Sequence, residues 1–148
     1  MIHDVGSTIT LEAWDMKYKP NADWNHAWGA APANIIARKL MGIEPLTPGY
    51  EKARICPRPG PLEWAKITAP TIRGPIALAY RKDASAKYYD VHIPANMAAE
   101  IHLPVDDPER VTESGKPASA ATGVEYLRQE KGRAVFRLGA GQYSLCIK

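Results

Sequence analysis

The side chains best suited to binding or catalysis are concentrated near the start of this sequence. Within residues 12–28 the chain places three carboxylates, three indoles and one imidazole: Glu12, Asp15, Asp23, Trp14, Trp24, Trp28 and His26. Indole rings can cover the apolar face of a pyranose while carboxylates and amides bind its hydroxyls. A carboxylate beside an indole is partly desolvated, and glycoside hydrolysis uses two carboxyl groups. The residues alone leave a second interpretation open, in which the tryptophans are core and the acids are solvated.

The elements that must position these residues differ between the two parts of the chain. Of the 13 prolines, only Pro20 and Pro32 precede residue 45, and the rest of the chain is cut by Pro and Gly into short runs. Short runs of alternating polarity are typical of an antiparallel β-sandwich. We therefore predict strands over residues 51–56, 64–68, 76–81, 88–93, 99–103, 110–113, 123–128, 134–138 and 142–147. Residues 130–133 are a predicted hairpin loop, in which Gly132 can adopt positive φ.

The first part contains one predicted helix, over residues 25–41. Asn25 can cap its start, and Gly42 stands where a glycine commonly ends a helix. Pro32 leaves two possibilities open: it kinks this helix, or it lies in the first turn of a shorter helix that begins near Ala30.

An apolar stripe runs along this predicted helix, formed by Trp28, Ala31, Ile35, Ile36 and Leu40. One helix cannot bury its own stripe, so it must pack on the sandwich or on a region outside this sequence. If such a region is absent, we expect an exposed apolar patch, which also involves Trp24, and self-association through it.

Composition excludes several classes of function. The net charge is only +3 and the basic residues are scattered, so no nucleic-acid surface is predicted. The sequence contains no long apolar run of the kind that spans a membrane. The first residues do not have the pattern of a signal peptide, and the location of the protein stays open. Cys56 and Cys146 form no CxxC motif, and buried thiols are expected. His92 and His102 would share one face if a hairpin turned at Asn96, but a solvated strand face is the more common arrangement, so neither a metal nor a cofactor is predicted.

The order of the segments resembles a known family. The stretches TITLEAWD, DWNHAWGAAPANIIARKLMGIEPLTPGYEKARICPRPG, ITAPTIRGPIALAY and VHIPANMAAEIHLP are similar to the C-terminal portion of bacterial α-L-rhamnosidases. These are inverting glycoside hydrolases in which a catalytic (α/α)₆ barrel is followed by a C-terminal β-sandwich. The resemblance covers essentially the whole chain.

The resemblance implies roles for particular residues. The family segment Trp-Glu-x-Trp matches Leu11 to Trp14, so Glu12 is implied as the general base and Leu11 replaces one expected aromatic wall. The family's Asn-His segment matches Asn25 and His26, and His26 is implied as a contact to the bound rhamnose. Trp14, Trp24 and Trp28 are expected to line the pocket, and Asp15 and Asp23 to bind hydroxyls or to hold the loop.

The resulting expectation is a mainly β chain. Residues 1–44 would be the end of a helical barrel, a loop plus one helix, and residues 45–148 a jelly-roll-like β-sandwich. The general acid and most substrate-binding acids would lie in an upstream barrel region, so this chain alone should be inactive. Its expected partners are that upstream region and a rhamnose-containing carbohydrate. The alternative is a free-standing, non-catalytic β-sandwich that binds carbohydrate or supports another protein.

Overall fold

The computed structural model describes residues 6, 11–15, 17–23 and 26–148, without the side chains of Trp28 and Ala30. The backbone contacts divide the chain into two compact units, Met1–Ile36 and Ala37–Lys148. Two predicted features, the Asn25 cap and the position of Trp24, lie outside the described residues. Among the described residues, no helix is long and apolar enough to cross a membrane.

The second unit contains two β-sheets. The five-stranded sheet has the order β1-β2-β6-β10-β9, and the six-stranded sheet has the order β3-β4-β5-β11-β7-β8. The strands are β1 (Ile43–Pro45), β2 (Lys52–Ile55), β3 (Trp64–Ala69), β4 (Ile76–Lys82), β5 (Lys87–Ile93), β6 (Ala98–Leu103), β7 (Val111–Glu113), β8 (Lys116–Pro117), β9 (Val124–Glu130), β10 (Arg133–Leu138) and β11 (Gly141–Ile147). The predicted β-sandwich is confirmed, and all nine predicted strands form.

The sandwich core comes from the inner faces of both sheets. In β5, for example, Tyr89, Val91 and Ile93 are buried while Asp90 is exposed, which is the period of two that a strand with one solvated face requires. The largest fully buried side chains are Tyr89, Phe136, Met41, Ile43, Ile55, Ile76, Leu78, Ile93, Ile101, Leu103, Leu138 and Leu145. Each contributes about 1.5–3 kcal/mol by leaving water.

One pairing departs from the antiparallel pattern. Strand β2 pairs in parallel with β6, with Ala53 opposite Ala99 and Ile55 opposite Ile101. Strands β5 and β6 are consecutive in sequence but lie in different sheets. The hairpin considered at Asn96 is therefore wrong: this turn carries the chain from one sheet to the other, so His92 and His102 are not on one face.

The hairpin predicted at residues 130–133 is confirmed. Glu130 and Arg133 are the last paired residues of β9 and β10, so the loop contains only Lys131 and Gly132. Their φ angles are 49° and 71°, and positive φ at both central residues is typical of the tight turn that suits twisted strands.

The segment predicted as one helix is shorter and irregular. A 3₁₀ turn over Ala27–Ala30 precedes α1 (Ala31–Ile35), and a π turn over Ile36–Leu40 follows it. Pro32 lies in the first turn of α1, where its missing N–H costs nothing, so the shorter-helix possibility is the correct one. Ile35 and Ile36 are 56% and 49% exposed. Self-association through this segment stays a prediction.

Gly42 ends the helical segment, as predicted, at a position that only glycine fits. Its φ is +74°, and a Cβ built there would lie 2.1 Å from the carbonyl oxygen of Cys56. The same close approach lets the Cys56 N–H donate to the Gly42 carbonyl at 3.0 Å. Both cysteines are free thiols, Cys56 buried and Cys146 half-buried.

Candidate functional site

The loop that contains Glu12 folds back on itself at Asp23. The Glu12 N–H donates to the Asp23 carbonyl oxygen at 3.1 Å, and the Asp23 N–H donates to Glu12 Oε2 at 3.1 Å. Between them, a turn in which the Ala22 N–H donates to the Lys19 carbonyl oxygen reverses the chain after Pro20. This reciprocal pairing fixes the Glu12 carboxylate by backbone contacts rather than by packing in a core.

A lysine from the same loop neutralises this carboxylate. Lys19 Nζ donates to Glu12 Oε1, and the Glu12 side chain is only 18% exposed. The Lys19 ammonium and then the Asp23 N–H hold the pKa of Glu12 below its usual range. The carboxylate is therefore ionised near neutral pH, as a base requires.

His26 approaches the same group from the start of the helical segment. Its Nδ1 lies 3.9 Å from Glu12 Oε1 and 3.6 Å from Asp23 Oδ2. Its carbonyl oxygen accepts the Gly29 N–H at 2.9 Å, which places His26 at the start of the 3₁₀ turn. Glu12, Asp23 and His26, separated by up to fourteen positions in sequence, thus form one polar cluster.

The other predicted site residues are placed differently. Asp15 Oδ1 accepts the Lys17 N–H at 2.9 Å and the Asp15 carbonyl accepts the Tyr18 N–H at 3.0 Å, so Asp15 organises a turn. Trp14 is 83% exposed and is not part of a core. Trp24 and the side chain of Trp28 lie outside the described residues. The predicted lining of the pocket by these tryptophans stays a prediction.

The cluster has the donor atoms of a cation site but already contains a cation. One ligand atom each of Glu12, Asp23 and His26 lie within 4.8 Å of one another. Three such ligands are the number that a catalytic zinc site uses. However, the ammonium of Lys19 occupies Oε1 of Glu12, and it supplies the positive charge that the carboxylate needs.

Sequence reasoning missed Lys19. It lies seven residues from Glu12, and only the turn after Pro20 brings the two together. A spacing of seven has no meaning in an irregular loop, whereas on a helix a spacing of three or four would have indicated the pair. No signal in the sequence distinguishes Lys19 from Lys17.

A second acidic centre lies in the sandwich unit. Glu44, on β1, is 7% exposed and contacts three cations: Lys39 Nζ at 2.8 Å, Arg38 Nε at 3.4 Å, and Arg54 Nη2. The hydrogen bond from Lys39, followed by that from Arg54, lowers the pKa of Glu44 to about 2, against the cost of burial. This cluster ties the π turn to the edge of the five-stranded sheet, and it is structural.

Comparison with known proteins identifies the sandwich. The fold is that of a β-sandwich domain preceded by a loop that carries a carboxylate cluster. A family model described as the bacterial α-L-rhamnosidase C-terminal domain matches residues 42–118, which is more than half of the chain. The chain belongs to this family.

Relatives match over nearly the whole chain. The α-L-rhamnosidase of Streptomyces avermitilis is 29% identical over 154 residues, and that of Formosa agariphila is 26% identical over 152 residues. Each alignment covers 97% of this chain but only 14% and 16%, respectively, of the relative. The chain therefore spans about a seventh of the length of the curated relatives it matches.

Solved structures show the same architecture. The crystal structure of the S. avermitilis enzyme complexed with L-rhamnose superposes with a TM-score of 0.76 at 29% identity, over 99% of this chain and 14% of that one. The α-L-rhamnosidase of Dictyoglumus thermophilum gives a TM-score of 0.78 at 23% identity, over 99% of this chain and 17% of that one. The second likeness shows the fold alone.

Proposed function

We propose that this chain is the C-terminal part of an α-L-rhamnosidase-like glycoside hydrolase that removes terminal α-L-rhamnose with inversion. Glu12 would act as the general base. The observation that carries this proposal is the Glu12 carboxylate, which is held ionised by Lys19 and the Asp23 N–H, with His26 3.9 Å away. Each carboxylate oxygen retains a second lone pair, which a water molecule can use.

Inversion sets a requirement that this chain does not meet by itself. A general acid must protonate the leaving oxygen, and it stands about 6.5–9.5 Å from the base so that a water fits between them. In the described residues, Asp23 lies too close to Glu12 for this role, because a carboxylate oxygen of each lies within 4.8 Å of the other. The proposal therefore assigns the acid to an upstream barrel region and predicts that this chain alone is inactive.

The neighbouring groups fit the binding of a sugar. The Asp23 carboxylate can accept hydrogen bonds from hydroxyl groups, and the His26 ring can donate or accept one. Both lie beside the carboxylate that would activate water, so a sugar bound there would present its reacting carbon to that water. Trp14, Trp24 and Trp28 would supply apolar walls.

The experiment joins residues 1–148 to the upstream part of the S. avermitilis enzyme, in place of its matching segment. We expect release of an aryl leaving group from an aryl α-L-rhamnoside, with β-L-rhamnose as the first product by NMR. Glu12→Ala should abolish turnover, and added azide should restore it by forming the rhamnosyl azide of inverted configuration. Retained turnover in Glu12→Ala, or a product of retained configuration, would contradict the proposal.

One observation favours the alternative of a free-standing β-sandwich. In the described residues, all the buried apolar side chains lie between Met41 and Ile147, so the unit Ala37–Lys148 holds its own core. Sequencing the DNA upstream of the Met1 codon distinguishes the rhamnosidase proposal from the free-standing β-sandwich. An in-frame helical region there supports the rhamnosidase proposal, whereas a stop codon followed by a promoter supports the free-standing domain.

A further inference from the structure

We propose that the open end of the sandwich is a binding site for an acidic saccharide unit, one that carries a carboxylate or a sulfate. The site lies entirely in the unit Ala37–Lys148, so the proposal is independent of catalysis by Glu12. It rests on a pocket of about 460 Å³ between the ends of the two sheets. That volume suits a small organic ligand rather than a bare ion.

The charge of the pocket points to an anion. Four cationic side chains line it and no carboxylate does: Arg58 from the loop after β2, Lys82 from β4, Lys87 from β5 and Arg133 from β10. Within the described residues none of the four forms an ion pair. By contrast, the three cations around Glu44 are paired with it, and Arg128 on the five-stranded sheet is paired with Glu100 and Glu130. Four unpaired cations around one cavity repel each other, and an anion relieves that repulsion.

Two of the cations are held in position by the backbone. Arg133 Nη1 donates to the carbonyl oxygen of His102 at 3.0 Å and to that of Pro57 at 3.4 Å. Lys82 Nζ donates to the Pro61 carbonyl oxygen at 3.3 Å. A guanidinium has five N–H donors and an ammonium three, so both groups keep donors for a ligand. The cation geometry is therefore partly preorganised.

Asp83, the acidic residue next to Lys82 in sequence, makes its hydrogen bonds within a turn. Asp83 follows Lys82 in the turn between β4 and β5. Its Oδ1 accepts the Ser85 N–H and hydroxyl, each at 2.8 Å, and the Ala86 N–H at 2.9 Å. Asp83 thus closes the turn, and it is absent from the pocket lining.

The pocket also offers a surface for a sugar ring. Pro59 and Pro104 line it and are half-buried, so they can contact the apolar face of a sugar, whereas Tyr80 and Tyr89, which also line it, are only 3% and 1% exposed. Burial raises the pKa of both tyrosines, so each keeps its proton and cannot repel an anion. Apolar surface beside cations is what an acidic saccharide requires: apolar contact for its ring and charge for its acid group.

The test is a calorimetric titration of the 148-residue chain with trigalacturonate. Its methyl ester serves as the uncharged control ligand, and inorganic sulfate as the bare anion. We expect trigalacturonate to bind, with an affinity that falls as salt is raised, and the ester and sulfate to bind at least about tenfold more weakly. If the ester bound as tightly as trigalacturonate, the proposed role of the acid groups would be wrong. If sulfate bound as tightly, the site would recognise a bare anion and the proposed saccharide specificity would be wrong. Absence of trigalacturonate binding would overturn the proposal altogether.

A matched pair of double variants locates the site. Arg58→Gln with Lys87→Gln changes two exposed side chains that make no side-chain hydrogen bond within the described residues, so the fold should persist. Lys66→Gln with Lys116→Gln makes the same change of charge on β3 and β8, outside the pocket. We expect the first pair to weaken binding at least about tenfold and the second to leave it unchanged. Equal weakening by both pairs would show non-specific attraction and contradict the site.

Discussion

Glu12 and Glu44 are two carboxylates of low pKa that the molecule holds in opposite ways. Glu44 lies on a strand, is almost fully buried, and is surrounded by three side-chain cations. Glu12 lies in an irregular loop, keeps more of its surface accessible, and is held by one lysine and one backbone N–H. The same ionised group is thus surrounded by side-chain cations in one place and left more accessible in the other.

The difference shows what a low pKa can and cannot indicate. Perturbed carboxyl groups occur both at functional sites and in structural ion-pair networks. Exposure separates the two cases here: the Glu44 side chain is 9% exposed and has three cations around it. The Glu12 side chain is 18% exposed and, within the described residues, has Lys19 as its one lysine or arginine partner beside a histidine. Glu44 should therefore matter for stability and Glu12 for chemistry.

The largest expected effect is on turnover by the joined enzyme described above. Glu12→Gln should lower kcat/KM by about 10²–10⁴-fold, because the amide cannot accept a proton from water. The thermal unfolding of the sandwich should not change, because its core lies outside Met1–Ile36. Asp15→Asn is the matched control in the same loop, and a comparable loss of turnover there would contradict the distinction.

The next effect is on stability. Glu44→Gln should lower the free energy of unfolding by about 1–3 kcal/mol, because Arg38, Lys39 and Arg54 lose their shared partner. Urea unfolding of the 148-residue chain measures it. Glu51→Gln, at an exposed acid just before β2, is the control and should have little effect.

The pH dependence of this stability has a defined sign. The pKa of Glu44 is lowered from 4.5 to about 2, so its contribution is complete above the unfolded value of 4.5. It is lost as the pH falls toward 2. In Glu44→Gln this part of the acid-induced loss should be absent. If the free energy of unfolding of that variant depended on pH as in the unchanged chain, other carboxyl groups would be the cause of the loss at low pH.

A smaller effect is expected from Lys19. Lys19→Met removes the main cause of the lowered pKa of Glu12, so the acid limb of kcat/KM should move to higher pH. At a fixed mildly acidic pH we expect a loss of about threefold, with little loss near neutral pH. Lys17→Met is the control, since Lys17 Nζ lies 4.8 Å from the ring centroid of Tyr18 in the same loop. A shift in both variants would indicate a general charge effect.

The smallest expected effect on stability comes from protonation of His102. Arg54, which pairs with Glu44, is one of the charges that act on this imidazole. His102 is 6% exposed, and burial lowers its pKa from 6.5, despite opposing contributions from Glu130 and Glu100. The neutral ring is favoured in the folded state, so stability should fall as the pH decreases below about 6.5. Urea midpoints between pH 7.5 and 5.5 measure this fall, which His102→Leu should reduce.

The control for this measurement is His92→Leu. His92 lies on the outer face of the six-stranded sheet and is half-buried, so this variant removes an imidazole that the core does not enclose. An equal reduction in slope in the two variants would remove His102 as the cause.

The strands were predictable because their signals are local. Alternating polarity marks several of the nine predicted strands, and Pro and Gly divide this part of the chain into the short runs that indicate the others. Strand β1 was missed because it has three residues and ends in Pro45, and β8 because it has two. The sheet to which each strand belongs was not predictable. The short turn at Asn96 suits both a hairpin and a crossing between sheets, and only the packing of the whole core decides between them.

The candidate site was predictable in composition but not in geometry. The order of segments indicated Glu12 and His26, and the structure brings both beside Asp23. The contribution of Lys19 depends on the turn after Pro20, which has no periodic signal. The prediction of one continuous helix was wrong for the same kind of reason. The apolar spacing continues past Pro32, but the backbone there changes from 3₁₀ to α to π geometry.

The late position of β10 and β11 has a consequence for synthesis. Strand β10 joins β6 to β9 in one sheet, and β11 joins β5 to β7 in the other. Until these two strands emerge from the ribosome, the earlier strands form separate groups, each with an unpaired edge. Cotranslational folding should therefore wait for the last of the described strands, and a nascent chain stalled before residue 133 should depend on chaperones that cover exposed edges.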